Sequence, residues 1–124
     1  MSGLRMSDAS KANKPPSTKQ LAYLRALAHH LAPVVQIGKE GLTESVALAT
    51  TTALTLHELI KVKLPQIEKA QRRGLTSELA KATGSHVVGE IGRVAMLYKR
   101  HPSEPKIKLP RSFSPGPDPS RDRG

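Results

Sequence analysis

The chain has 124 residues, enough for one domain with tails, and no cysteine, so disulfides and cysteine-ligated zinc are excluded. Twenty Lys and Arg against ten Asp and Glu give a formal charge of +10, a balance that points to a polyanionic partner. No apolar run approaches the roughly 18 residues that span a bilayer. The only aromatic rings, Tyr23, Tyr98 and Phe113, are too few for a sheet that stacks bases on aromatic side chains.

Residues 1–16 are polar and end in Lys14-Pro15-Pro16, which predicts a disordered basic arm. With no apolar core of a secretory signal there, the expected compartment is the cytoplasm. A helix is predicted over 17–31, capped by Ser17 or Thr18, with Leu21, Leu24, Leu27, Ala28 and Leu31 at helical spacing. Pro33 stops it. The short β-branched run 34–37 reads as a buried strand.

A second helix is predicted over 43–57, with Val46, Ala49, Ala53 and Leu56 on its inner face. Its Thr50-Thr51-Thr52 run has poor helix propensity, so packing must hold it. Residues 59–64 alternate: Ile60, Val62 and Leu64 share one face, Lys61 and Lys63 the other. Pro65 suits the first turn of a third helix reaching Thr83, interrupted by Gly74 and stopped by Gly84. Two last strands, 86–91 and 94–99, meet at a tight turn at Gly92-Arg93. Residues 111–124 hold three prolines and two glycines and read as a disordered Pro-rich tail. The order α-β-α-β-α-β-β predicts an α/β (α+β) sandwich on a small mixed sheet, with its domain over 17–110. From Ser17 to Pro110 there are 14 basic and 7 acidic side chains. The difference is +7, so most of the charge belongs to the domain and not to its ends.

The most informative stretch is Gly38-Lys39-Glu40-Gly41, a GxxG loop between the first strand and the second helix. Glycine at both ends permits a sharp turn and lets a ligand approach with no Cβ in the way. The helix that follows points unpaired N–H groups and its positive dipole end at the same place. In so basic a chain, the ligand expected there is a nucleic-acid phosphate. The same glycines would equally serve a plain strand-to-helix turn.

Several motifs occur in a fixed order. They are Leu27-Ala28-His29, Pro33-Val34-Val35-Gln36-Ile37-Gly38, Gly41-Leu42-Thr43, His57-Glu58-Leu59-Ile60-Lys61-Val62-Lys63, Thr83-Gly84, Ile91-Gly92-Arg93, Leu97-Tyr98 and Ile107-Lys108-Leu109-Pro110. In this combination the chain resembles the CRM (YhbY-like) RNA-binding domain family, and its stand-alone bacterial members in particular. The resemblance implies a four-stranded mixed sheet with three helices and a GxxG loop used like that of KH domains. It further implies a cytoplasmic, monomeric, non-enzymatic protein bound to structured ribosomal RNA of the precursor large ribosomal subunit. No cofactor, metal or membrane partner is implied.

The candidate RNA-binding residues are Gly38, Lys39, Glu40, Gly41 and Leu42 in and beside the loop. Lys61, Lys63, Arg25, His29, Arg93 and Arg100 surround it in the expected basic surface. Lys39 suits phosphate as a flexible point charge, and Arg93 in a turn suits a bidentate contact. Glu40 departs from this logic, because a carboxylate beside a phosphate is unfavourable. Lys61 and Lys63 would also fit a solvated sheet edge blunted by lysine, and Arg93 an ordinary surface arginine. Tyr98 reads as core or rim. Lys106 and Lys108 are expected to extend the basic surface. Enzyme readings find little support: His29-His30 and His57-Glu58 are neighbours in sequence that point apart, and no HExxH, phosphate-binding loop or nucleophile elbow occurs. Two other functions fit the residues, a protein-interaction adaptor on assembling ribosomes and a general RNA chaperone.

Overall fold

The computed structural model describes residues 14–111. The predicted arm and tail lie outside the described residues, apart from 14–16 and 111. Among the described residues three helices and four strands follow in the expected order: α1 (Thr18–Ala28), β1 (Pro33–Gln36), α2 (Glu44–His57), β2 (Leu59–Lys63), α3 (Lys69–Thr83), β3 (His86–Ile91) and β4 (Val94–Tyr98). The sheet runs β1-β2-β4-β3, with β1 parallel to β2 and the other pairs antiparallel. β2 is therefore an inner strand, and Lys61 and Lys63 do not guard a sheet edge.

The pleat of β2 separates two cores. Ile60, Val62 and Leu64 face α2 and α3, packing with Val35, Ile37, Leu54, Leu79, Ala80, Ala95 and Leu97. Leu59 faces α1, packing with Leu24, Ala28, Val88, Met96 and Tyr98. Each such side chain contributes roughly 1.5–3 kcal/mol on burial, so both layers are needed by a domain this small.

α1 begins with a reciprocal cap. The Gln20 N–H donates to Ser17 Oγ at 3.2 Å, and the Ser17 N–H donates to Gln20 Oε1 at 2.9 Å. The helix ends at Ala28, three residues before the predicted end, and Leu31 is left exposed. The cause is Pro33: β1 must start there, and the chain needs residues 29–32 to drop from the helix layer to the sheet.

α2 is rotated relative to its prediction. Ala49 and Leu56 face solvent, while Thr50 and Leu54 are buried and Val46 and Ala53 are half-buried. Thr50 can be buried because its hydroxyl donates to the Val46 carbonyl at 2.7 Å. A pattern read from apolar letters alone misses a threonine whose polar atom is satisfied within its own helix.

α3 starts at Lys69, not at Pro65. Leu64 is held at the sheet by its buried side chain and by its N–H, which donates to the Arg93 carbonyl at 2.6 Å. Residues 65–68 are spent climbing to the helix layer. Gly84 closes α3 at φ 69°, where its lack of a Cβ is required, and Lys99 Nζ donates to the Thr83 carbonyl at 3.1 Å.

Residues 99–111 have no regular structure, yet they are tied down. Ile107 and Leu109 pack against the α1 core, and the Pro110 carbonyl accepts from Gln20 Nε2 at 2.9 Å. The main tie is Glu58, which is fully buried between α2 and β2. Its carboxylate accepts the backbone N–H groups of His101, Lys106 and Ile107 at 2.7–2.8 Å. Lys106 stays exposed, and its Nζ donates to the Leu56 carbonyl at 2.9 Å.

Candidate nucleic-acid interface

The GxxG loop is a β-turn. The Gly41 N–H donates to the Gly38 carbonyl at 3.0 Å, which puts Lys39 and Glu40 at its tip. Gly41 adopts φ 76°, a conformation that disfavours any other residue, whereas Gly38 is not in the left-handed region. A Cβ on Gly38 would meet only Glu40 Oε1, at 3.3 Å. The two glycines are thus different in kind. Gly41 is set by backbone geometry. At Gly38 a side chain is excluded by no fixed part of the protein, so the glycine leaves the backbone there open to approach.

The turn sits on a fixed base. The Ile37 N–H donates to the Lys63 carbonyl at 2.8 Å, anchoring the loop's entry to the end of β2. Leu42 follows the loop and packs half-buried against the core, which fixes its exit. Thr43 then caps α2, its Oγ1 accepting from the Val46 N–H at 3.1 Å. Helix geometry leaves the Glu44 and Ser45 amides of the first turn without intrahelical partners. These amides and the dipole end of α2 face the same end of the sheet as the loop.

Sheet pairing carries this end further. Lys63 pairs with Gln36 on one side and with Val94 on the other. Val94 follows Arg93, which is the second residue of the β3–β4 turn and holds Leu64 through its carbonyl. Gly38–Leu42, Lys63 and Arg93 therefore lie side by side across one end of the sheet. Lys61 stands two residues back from Lys63 on the α1 face. α1 covers the Leu59 and Tyr98 end of that face.

The other candidates lie apart. Arg25 reaches over β3, where its Nη1 donates to the Val88 carbonyl at 3.1 Å and its Cδ lies 3.1 Å from the point a Cβ on Gly89 would occupy. That bond sits where the β3–β4 register shifts between Val87 and Gly89, so Arg25 supports a bulge. His29 caps the end of α1, its ring edge-on to His30 at 5.4 Å, four residues before β1 enters the sheet. Arg100 follows the far end of β4, and the five-residue strand separates it from Arg93 by roughly 15 Å or more. There it lines a separate cleft with Lys14, Tyr98 and Lys108. Tyr98 is buried, as expected, and its phenol pKa is raised by burial first and by the Glu58 charge second, against a lowering by Arg100.

Three cations at the loop end were not among the sequence candidates. Lys69, Arg72 and Arg73 lie in the first two turns of α3, which starts at this same end. Their signal was the Gln71-Arg72-Arg73 run, but its side of the helix is fixed only by the delayed start at Lys69. Among the described residues no group of three or more His, Asp or Glu could hold a metal ion. No helix among them is long and apolar enough to cross a membrane.

The CRS1/YhbY (CRM) domain model matches residues 17–99. The chain belongs to the CRM family. A Haemophilus influenzae protein named as an RNA-binding protein is 43% identical over 95 residues, covering 77% of this chain and 95% of that one. A Bacillus subtilis protein named as a probable RNA-binding protein is 36% identical over 92 residues, covering 74% and 96%. The solution structure of a Staphylococcus aureus protein, for which RNA binding has been proposed, superposes with a TM-score of 0.69 at 36% identity, covering 77% of this chain and 99% of that one. These CRM relatives carry binding names and not enzyme names. The predicted family, three helices and four-stranded mixed sheet are as found.

Proposed function

We propose that this protein is a non-enzymatic, cytoplasmic, monomeric RNA-binding factor that docks on structured ribosomal RNA of the precursor large ribosomal subunit. The observation that carries the RNA reading is the convergence at one sheet end of the GxxG turn, the α2 N-terminus, Lys63 and Arg93. CRM membership supports it, as do the names of the relatives. The ribosomal target rests on the family resemblance.

In this reading Gly38 admits a phosphate to backbone distance, and the Glu44 and Ser45 amides meet its charge. Lys39, Lys63 and Arg93 hold the flanking phosphates. Such contacts position RNA by the shape of its backbone and carry little base information. Glu40 lies beside Gly38, but it is exposed at a turn tip and swings aside as phosphate enters.

One observation favours the adaptor reading as a second possibility. At the opposite end of the sheet an apolar groove of about 430 Å³ is lined by Leu27, Leu31, Val34, His57, Leu59 and Ile107. Co-sedimentation with ribosomal particles, with and without RNase, separates the two. Comigration with immature large subunits that is lost on RNase treatment supports the RNA function. Retention after RNase supports the adaptor, and absence from every particle removes the ribosomal target.

A further inference from the structure

α3 is unusual in what it turns toward the sheet margin. Lys69, Arg72, Arg73, Thr76 and Ser77 are spaced i, i+3, i+4, i+7 and i+8, so they form one continuous stripe. Together they line a cleft of about 620 Å³, whose other wall is Val87–Glu90 and Gly92 of β3 and its turn. That volume falls within the roughly 300–1,000 Å³ typical of ligand sites. Thr76 is buried, and Leu79 and Ala80 carry this same side of the helix on into the core. The cations thus form the open, N-terminal part of a helix side whose C-terminal part is core.

The opposing wall is polar too. β3 pairs only with β4, so its outer edge presents backbone N–H and C=O groups that no strand of this sheet takes up. Three cations line the cleft against one carboxylate, Glu90. Arg72 is partly committed, since its Nη1 donates to the Ile67 carbonyl. Lys69 and Arg73 are exposed. The cleft opens at Gly92, the neighbour of Arg93, so it continues the row formed by the GxxG loop, Lys63 and Arg93.

We infer that the α3–β3 cleft is a second phosphate-binding track, into which an RNA backbone seated on the GxxG loop continues past Arg93. The proposal rests on the RNA-binding reading of the loop and extends it. The stripe from Lys69 to Ser77 rises about 12 Å along the helix, which gives an extended strand several anchoring points. Its continuity with the loop end favours RNA over an acidic peptide adding a strand to β3.

The test uses the full chain and a labelled 20-nucleotide oligouridylate, titrated between 50 and 200 mM salt. The paired variant K69Q/R73Q changes only exposed side chains and is compared with Gly38→Asp. Loss of two phosphate contacts should lower the log–log salt slope by about 1.4 and weaken binding at low salt by roughly three- to tenfold. If K69Q/R73Q keeps the wild-type slope and affinity while Gly38→Asp loses binding, the track is overturned and the loop reading stands. If K69Q/R73Q loses binding while Gly38→Asp does not, the cleft binds RNA independently and continuity with the loop is overturned. Amide shifts at Ser77, Gly89 and Gly92 on adding oligouridylate support the track. The same shifts with polyglutamate alone would replace it with a peptide site.

Discussion

Glu58 is buried where α2 gives way to β2, and its carboxylate ties a distant segment to the fold. It takes φ 65° and ψ −40°, a conformation that costs on the order of 1–3 kcal/mol in a residue with a side chain. It is retained because its carboxylate satisfies three N–H groups from a segment more than 40 residues away. Glu58→Gln turns one acceptor oxygen into a donor facing another N–H. It should destabilise the domain by about 2–4 kcal/mol in urea unfolding; a loss under about 0.5 kcal/mol would contradict this role. The sequence offered no local sign of it. Glu58 stands between a helix end and a strand as a surface acid would, and its partners are in the segment that reads as least structured. The GxxG loop was legible for the opposite reason. Its glycines, its tip residues and its helix cap are contiguous, so local geometry reveals them.

Elements were legible where one face is purely apolar and misread where polar atoms are satisfied internally. The alternation of β2 placed Ile60, Val62 and Leu64 in one core without error. In α2 the buried face is shifted by Thr50, whose hydroxyl binds within the helix. In α3 the start depends on the Leu64–Arg93 bond across the sheet, and with it the facing of the Lys69 stripe. The interruption at Gly74 is the simplest feature to test. It lies exposed inside α3, with nothing within 4 Å of an added Cβ. Gly74→Ala should stabilise the domain by about 1 kcal/mol and raise Tm by roughly 4–8 °C. An unchanged or lowered Tm would show that Gly74 serves some purpose other than tolerated helix weakness.

At the scale of the molecule, the sheet divides the basic residues by strand direction. The ends of β1 and β2 and the start of β4 share one edge of the layer with the starts of α2 and α3. Lys39, Lys63, Lys69, Arg72, Arg73 and Arg93 belong to that end, while Arg100, Lys14 and Lys108 belong to the other. Linear sequence showed the charge but not this partition, because Arg93 and Arg100 are close in the chain and on opposite sides of the fold. A net charge of +10 by itself would attract any polyanion. In the proposed reading the loop end is singled out because backbone donors, an open glycine and cations converge there.

The most direct test of that claim is the salt-dependent affinity of Gly38→Asp for RNA, measured beside the wild-type protein. With about four phosphates held, wild-type affinity should fall on the order of fifty-fold between 50 and 200 mM salt, on the single-strand slope. Gly38→Asp should keep the wild-type circular dichroism and Tm, because the new side chain meets only the movable Glu40. Its binding should weaken on the order of tenfold or more, as one carboxylate is placed where a phosphate must come. Wild-type affinity in the folded variant would contradict the account.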